Sequence, residues 1–315
     1  MHVLKFGGTS VKNAARIKRV ADIIKTQEDK TFVVVSALSG VTNSLTKLIL
    51  YGKQHRYNEA FEIADDVINK HKETFAELKL PPVKLEFIDE QHEKLNDLIT
   101  ALQILGETSP KSQDMILSFG ERLSAFLLFN TLLQNRVNAV HADARLLIKT
   151  DERHTAAECD INTTHENIRK FAAENSRHHD VIITEGFIGS DAAGKTTTLG
   201  RGGSDYTASI IASTLKADLL DIYTDVYGMM TSDPRFIPEA KLIRNISYTE
   251  ASELAYFGAK VLHPKTIWPA VQSSIPVRIL NTFDPENSGT VIRGISSKHE
   301  MIKAIAFRKG ISIIN

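Results

Sequence analysis

The sequence predicts an α/β protein whose largely parallel sheet is covered by helices on both faces. Two observations point there. Short apolar, β-branched runs alternate along the chain with longer stretches of helical periodicity, the arrangement that parallel strands with crossover helices require. The chain also has 315 residues, 42% of them hydrophobic, enough for a sizeable core without disulfide staples.

The elements follow in order. Strands are predicted at Val3–Phe6 and Phe32–Val35, with a helix over Ala14–Thr26 between them. Residues 51–110 break the alternation: 19 of these 60 are charged, and no glycine lies between Lys53 and Leu105. Phe61, Ala64, Ile68, Leu95, Leu98 and Leu102 recur at helical spacing, so this stretch reads as a peripheral helical lobe broken at Pro81-Pro82, with its charge on a solvated face. A helix over Asp114–Gln134 and strands at Val137–His141 and Val181–Thr184 come next. Residues 186–203 hold six of the 17 glycines, so backbone freedom is concentrated in one loop. The chain continues with a helix at Asp205–Lys216, a strand at Leu219–Tyr223, a helix at Pro264–Val271 and a strand at Val277–Leu280.

Composition narrows the functional classes. Lys plus Arg equals Asp plus Glu at 38 each, so no global field draws the chain to nucleic acid or an anionic membrane. Cys159 is the only cysteine, which excludes an internal disulfide and a multi-cysteine zinc site. The N-terminus has no secretory pattern, and no apolar run approaches the ~18 residues of a membrane span. The expected setting is cytoplasmic.

Gly189–Thr196 matches the Walker A pattern letter for letter and follows a good strand. A phosphate loop needs a helix to begin at its Gly-Lys-Thr. Here Thr196, Thr197 and Thr198 favour an extended segment, and Asp191–Gly194 reads as the tip of a β-hairpin.

Three other segments carry better signals. In Lys5-Phe6-Gly7-Gly8-Thr9-Ser10 a strand runs into a glycine turn that brings backbone amides close to an anion. Lys5 adds a positive charge, and Ser10 is placed to cap the following helix. In Leu199–Ala208 another glycine turn leads into a helix with Ser204 as its expected cap. Arg201 there offers a fork for a carboxylate, and Asp205 suits the helix dipole. In Phe119-Gly120-Glu121-Arg122, Glu121 shares its helix face with Leu117, Ala125, Leu128 and Leu132. A carboxylate there is costly unless satisfied, and Arg122 at i+1 points elsewhere. Either a distant cation or a substrate ammonium meets it.

These segments, with Ser36–Asn43, Thr184–Gly189, Thr224–Arg235 and Phe257–Pro264, resemble in order the aspartokinases of the amino acid kinase family. The pieces are KFGGTSV, SALSGVTN, FGER, TEGFIG with LGRGGSDYTA, TDVYGMMTSDPR and FGAKVLHP. The resemblance implies a three-layer α/β/α sandwich with an open, mainly parallel eight-stranded sheet. It implies transfer of a phosphoryl group from ATP, with Mg²⁺ held through phosphate oxygens, to the side-chain carboxylate of L-aspartate. Lys5, Gly7 and Gly8 would hold phosphates, with Asp205 orienting Lys5. Arg201, Ser204, Ser39 and Thr42 would bind a substrate carboxylate, and Glu121 its ammonium. Thr224, Asp225, Met230, Arg235, Lys260 and Val261 would line the nucleotide site, Met230 standing where some relatives have tyrosine.

On the same basis residues 1–295 would form the catalytic domain, with the lobe at about 53–110. Residues 296–315 would open a truncated ACT regulatory domain, whose loss would weaken a homodimer and remove end-product inhibition. The competing readings are a kinase of this family acting on a different carboxylate, a non-catalytic amino-acid-binding module, a P-loop NTPase relying on Lys195, and a dinucleotide dehydrogenase. The last would need a three-glycine fingerprint that Asp205 interrupts.

Overall fold

The computed structural model describes residues 1–257, 262–294 and 304–305. Ten strands are present among these: β1 (His2–Phe6), β2 (Thr31–Val35), β3 (Ala139–Ala142), β4 (Val181–Glu185), β5 (Ile188–Ser190), β6 (Thr196–Thr198), β7 (Leu219–Thr224), β8 (Asn245–Ser247), β9 (Val277–Asn281) and β10 (Thr290–Arg293). Eight form one sheet in the order β3-β4-β2-β1-β7-β9-β10-β8. The first six in that order run parallel; β10 is antiparallel to β9, and β8 runs with β10. The implied eight-stranded, mainly parallel sheet is therefore present, with β1 near its centre.

The helices are α1 (Ala14–Lys25), α2 (Val41–Lys53), α3 (Tyr57–Leu78), α4 (Leu85–Leu105), α5 (Pro110–Gln134), α6 (Ala144–Leu147), α7 (Ile161–Asn175), α8 (Gly203–Leu215), α9 (Tyr248–Phe257) and α10 (Trp268–Gln272). Local chemistry sets their ends. Asn13, Ser109, Asp143 and Asp160 cap α1, α5, α6 and α7 through side-chain oxygens, and Pro110 occupies the first turn of α5. Two expected caps are corrected. Ser10 does not cap α1, because Gly8–Val11 forms a separate 3₁₀ turn; its hydroxyl meets Thr282 Oγ1 at 2.6 Å. Ser204 does not cap α8, because Gly202 does, and the helix starts at Gly203.

The sheet divides two cores. On one face Leu4, Phe6, Val33, Val35 and Ile183 pack with α1–α5. On the other, Val3, Phe32, Val34, Ile182 and Ile222 pack with α7, α8 and α10. The helical lobe is not peripheral in its apolar half: Ala64, Ile68, Leu95 and Leu102 belong to the first core. Its charges face solvent or bridge α3 to α4, as in Lys72–Asp89 at 2.6 Å and His92–Asp65 at 2.7 Å. Among the described residues α5 is the one helix long and apolar enough to cross a membrane, but 72% of that stretch is buried inside the protein. Its apolarity serves the core.

Candidate active site

Lys5 is placed by strand parity. Side chains alternate along β1, so Leu4 and Phe6 enter the first core while Lys5 shares the face of Val3, beneath α8. There Lys5 Nζ lies 2.6 Å from Asp205 Oδ1 in the first turn of α8, the two side chains being 12% and 15% exposed. The loop beyond Phe6 ties neighbouring strand ends together. Gly7 donates its amide to Tyr223 O at 3.1 Å, and Gly8 O accepts from Ser39 N at 3.1 Å. Lys5, Gly7, Gly8, Ser39 and Thr224 thus share the carboxyl-end rim of β1, β2 and β7, where ligands of such sheets bind. Thr42 sits in the first turn of α2, just beyond Ser39 and half-buried.

The glycine loop explains itself in three dimensions. Arg201 lies between Gly200 and Gly202, both left-handed with φ of +73° and +74°, a conformation that side-chain-bearing residues resist. The turn leaves Arg201 exposed, with no ion pair among the described residues. One turn earlier, a Cβ on Gly186 would fall 2.5 Å from Ser204 Cβ, so only glycine lets the end of β4 meet the start of α8. The Walker look-alike is a hairpin: β5 pairs antiparallel with β6, exposed Lys195 sits at its turn, and Lys195 N donates to Asp191 Oδ1 at 2.7 Å. No helix starts between Gly194 and Gly203.

Glu121 is 3% exposed on α5. Oε1 accepts from the Ala37 amide at 3.3 Å, and Oε2 has no hydrogen-bond partner. Burial, reinforced by the nearby Glu185 carboxylate, pushes its carboxyl up to about 8. No cationic side chain among the described residues pairs with it, which disposes of the distant-cation alternative for those residues.

The segment after β7 is more open. Thr224 is half-buried and bonds exposed Asp225 at 3.2 Å. Met230 bridges to Leu242. Arg235 is exposed and folds back on Asp233, with Nη2 to Oδ2 at 2.6 Å, which holds the Asp233 carboxyl down to about 2. Lys260 and Val261 lie outside the described residues, as does the segment read as an ACT strand apart from residues 304–305.

Sequence reasoning missed two supports of the site. Asp114, fully buried on α5, accepts from Thr198 Oγ1 at 2.5 Å and Thr155 N at 3.0 Å and meets His154 Nδ1 at 2.8 Å. It fastens the hairpin and the loop that borders Gly200; its only signal was a charge on an apolar helix. Lys70 on α3 donates to Ser39 O at 2.5 Å, tying the lobe to the rim. Nothing in its charged surroundings marked it.

A model of the Amino acid kinase family matches residues 1–281. The chain is 38% identical over 312 residues to lysine-sensitive aspartokinase 3 of Escherichia coli, covering 99% of this chain and 68% of that protein. It is 34% identical over 323 residues to the bifunctional aspartokinase/homoserine dehydrogenase of Buchnera aphidicola, all of this chain but 39% of that one. The crystal structure of E. coli aspartokinase III in complex with aspartate and ADP superposes with a TM-score of 0.89 at 38% identity, over 97% of this chain and 67% of the other. The chain thus spans about two thirds of single-function relatives and under half of the bifunctional one. With the rim geometry agreeing with a family match that runs from β1 to the end of β9, the chain belongs to the amino acid kinase family, among its aspartokinases.

Proposed function

We propose that the chain transfers the γ-phosphoryl group of ATP to the side-chain carboxylate of L-aspartate, giving ADP and 4-phospho-L-aspartate, the first step toward lysine, threonine and methionine. The observation that carries this reading is Glu121, a buried carboxyl with one oxygen unpartnered beneath the rim loop. It asks for a cation from outside, and an amino-acid acceptor brings one.

The chemistry needs alignment and charge neutralisation rather than a base. An acceptor carboxylate is already ionised at pH 7, so one of its oxygens bonds to the γ-phosphorus as the bond to the ADP oxygen breaks, and no proton moves. Lys5, aimed by Asp205, neutralises the transferring group. The fit to phosphate is local: a Cβ on Gly7 would lie 3.6 Å from Lys5 Nζ, so glycine keeps the space beside the ammonium clear. Arg201 with Ser39, Thr42 and Ser204 holds the α-carboxylate, and Glu121 the ammonium. Thr224, Asp225, Met230, Arg235, Lys260 and Val261 line the nucleotide side, where Arg235 exchanges Asp233 for phosphate. Mg²⁺, which the nucleotide would carry on its own phosphate oxygens, would supply charge neutralisation there alongside Lys5.

A coupled ADP-release assay across L-aspartate, L-glutamate, N-acetylglutamate and UMP tests the reading. Turnover is expected with aspartate; a preference for any other acceptor sinks it.

A further inference from the structure

Two buried carboxyl groups meet the same stretch of chain: Glu185 pairs with Val35 in the β2–β4 register, and Ala37, two residues further on, donates its amide to Glu121. Parity along β4 puts Glu185 on the face of Val181 and Ile183, toward α5, and it is 2% exposed. Unlike Glu121, it is fully engaged: Oε1 meets His141 Nε2 at 2.9 Å, and Oε2 accepts from the Ala144 amide at 2.9 Å. The charged groups facing it are Glu121 and Arg122 from α5, His141 from β3, and Asp143 and Arg145 at the start of α6. Asp143 and Arg145 close on each other, Nη2 to Oδ2 at 2.5 Å, leaving His141 and Arg122 as its cations. Neither pairs with Glu121. The loop 36–38 that faces Glu121 carries no charge, and Lys5 points to the other side of the sheet.

We propose that Glu185 is a positioning residue for the amino-acid site, a second carboxylate that withholds charge from Glu121 until a substrate ammonium arrives. The inference rests on the reading of Glu121 as the ammonium's partner. When the acceptor enters, the Glu121 O–H bond breaks, its proton leaves to solvent, and the carboxylate oxygen accepts from the ammonium. Acceptor binding and proton release become one event. Burial is the larger cause raising Glu121, and the neighbouring Glu185, whose two oxygens are both engaged by donors, adds to it. Burial is the largest single influence on His141 and disfavours its charged form, but the Glu185 hydrogen bond together with the Glu185 and Asp143 charges raises its pKa on balance.

The test is calorimetric titration of L-aspartate into the full chain from pH 6 to 9, in buffers of differing ionisation enthalpy, with kcat and KM measured alongside. Wild type is expected to release a proton on binding, with affinity rising about tenfold per pH unit below the Glu121 midpoint. Glu185→Gln is expected to move that midpoint to lower pH and cut proton release at pH 7, changing KM for aspartate but not kcat. His141→Gln keeps the Glu185 charge and is expected not to shift the midpoint toward acid. A wild-type profile in Glu185→Gln overturns the proposal, as does an equal acid shift in both variants, which would mark a general disturbance of the β3–β4 edge. Glu121→Gln separates the layers. If it leaves aspartate affinity intact, the site reading falls and takes this inference with it; if it abolishes binding while Glu185→Gln is silent, only the inference falls.

Discussion

Lys5 Nζ and Asp205 Oδ1 stand 2.6 Å apart across the seam between the central strand and the first turn of α8. A lysine ammonium sits on a flexible stem, and an opposite charge at this distance holds it to one side of the sheet. The partnership also explains why Asp205 interrupts a glycine pattern: its place is beside a cation.

The two lysines preceded or followed by glycine should separate sharply. Lys5→Ala is expected to lower kcat by ~10²–10³, the range for removing a pre-aimed charge in a protected site. Lys195→Ala, at the exposed hairpin turn, should leave turnover close to wild type. Steady-state ADP release from both folded variants decides, and a larger loss at Lys195 would restore the phosphate-loop reading.

Glu121→Gln keeps the shape and removes the charge. Aspartate binding should weaken by about 1.5–3 kcal/mol, roughly 10- to 150-fold, while ATP binding holds. Without substrate the same variant should flatten a pH dependence. The wild-type carboxyl sits at about 8 in the fold against 4.5 when unfolded, so its folded state binds the extra proton and loses stability as pH rises between those values. Denaturant melts at pH 5 and pH 8.5 measure this; equal slopes in both proteins would contradict it.

Gly186→Ala pushes a methyl into Ser204, 2.5 Å away by geometry. Either β4 or the start of α8 must yield, so a destabilisation of ~1–3 kcal/mol is expected, together with lost activity because Asp205 is the next residue. Thermal melts and turnover of the alanine variant check both, and an unperturbed enzyme would show that the approach is looser than described.

His71 is fully buried on α3, with Nδ1 2.7 Å from Val67 O and Nε2 unpartnered. Burial pushes it down to about 4 from 6.5. The unfolded chain therefore takes the proton first. Stability is complete above 6.5, declines as pH falls toward 4, and the loss approaches about 3 kcal/mol. Urea unfolding at pH 7.5 and 4.5 measures the decline, and His71→Gln should show less of it.

What the sequence made legible follows from what periodicity encodes. The six strands of the continuous parallel run, β3 to β9 in sheet order, were readable because they are short apolar runs between glycine and polar breaks. β8 was not, since Asn245–Ser247 has three residues and one buried side chain, and β10 has only four residues and buries polar Thr290 beside Ile292. The capping serines were misplaced because a 3₁₀ turn at Gly8–Val11 takes up Ser10 ahead of α1, whose start at Ala14 was legible, and because left-handed Gly202 lets α8 begin two residues before the expected Asp205. At the site, helix periodicity exposed Glu121 as an acid on an apolar face. The link from Lys5 to Asp205, 200 positions apart, came from resemblance alone. Glu185 fell just beyond the expected strand end at Thr184, and single-sequence patterns do not report which helix will close over it.

In β1, register sorts side chains between two layers. Val3 and Lys5 address α8, while Leu4 and Phe6 line the floor beneath α1–α5, where Phe6 stacks on Tyr223 at 4.8 Å. A parallel ladder bonds equally well one residue out of step, so its hydrogen bonds would not object to an insertion before Lys5. The side chains would: the ammonium would turn into an aliphatic layer and a phenyl ring would face Asp205. The aromatic stack on the far side of the sheet therefore acts as a lock on the frame, and residues remote from any ligand set the direction in which a charge is presented.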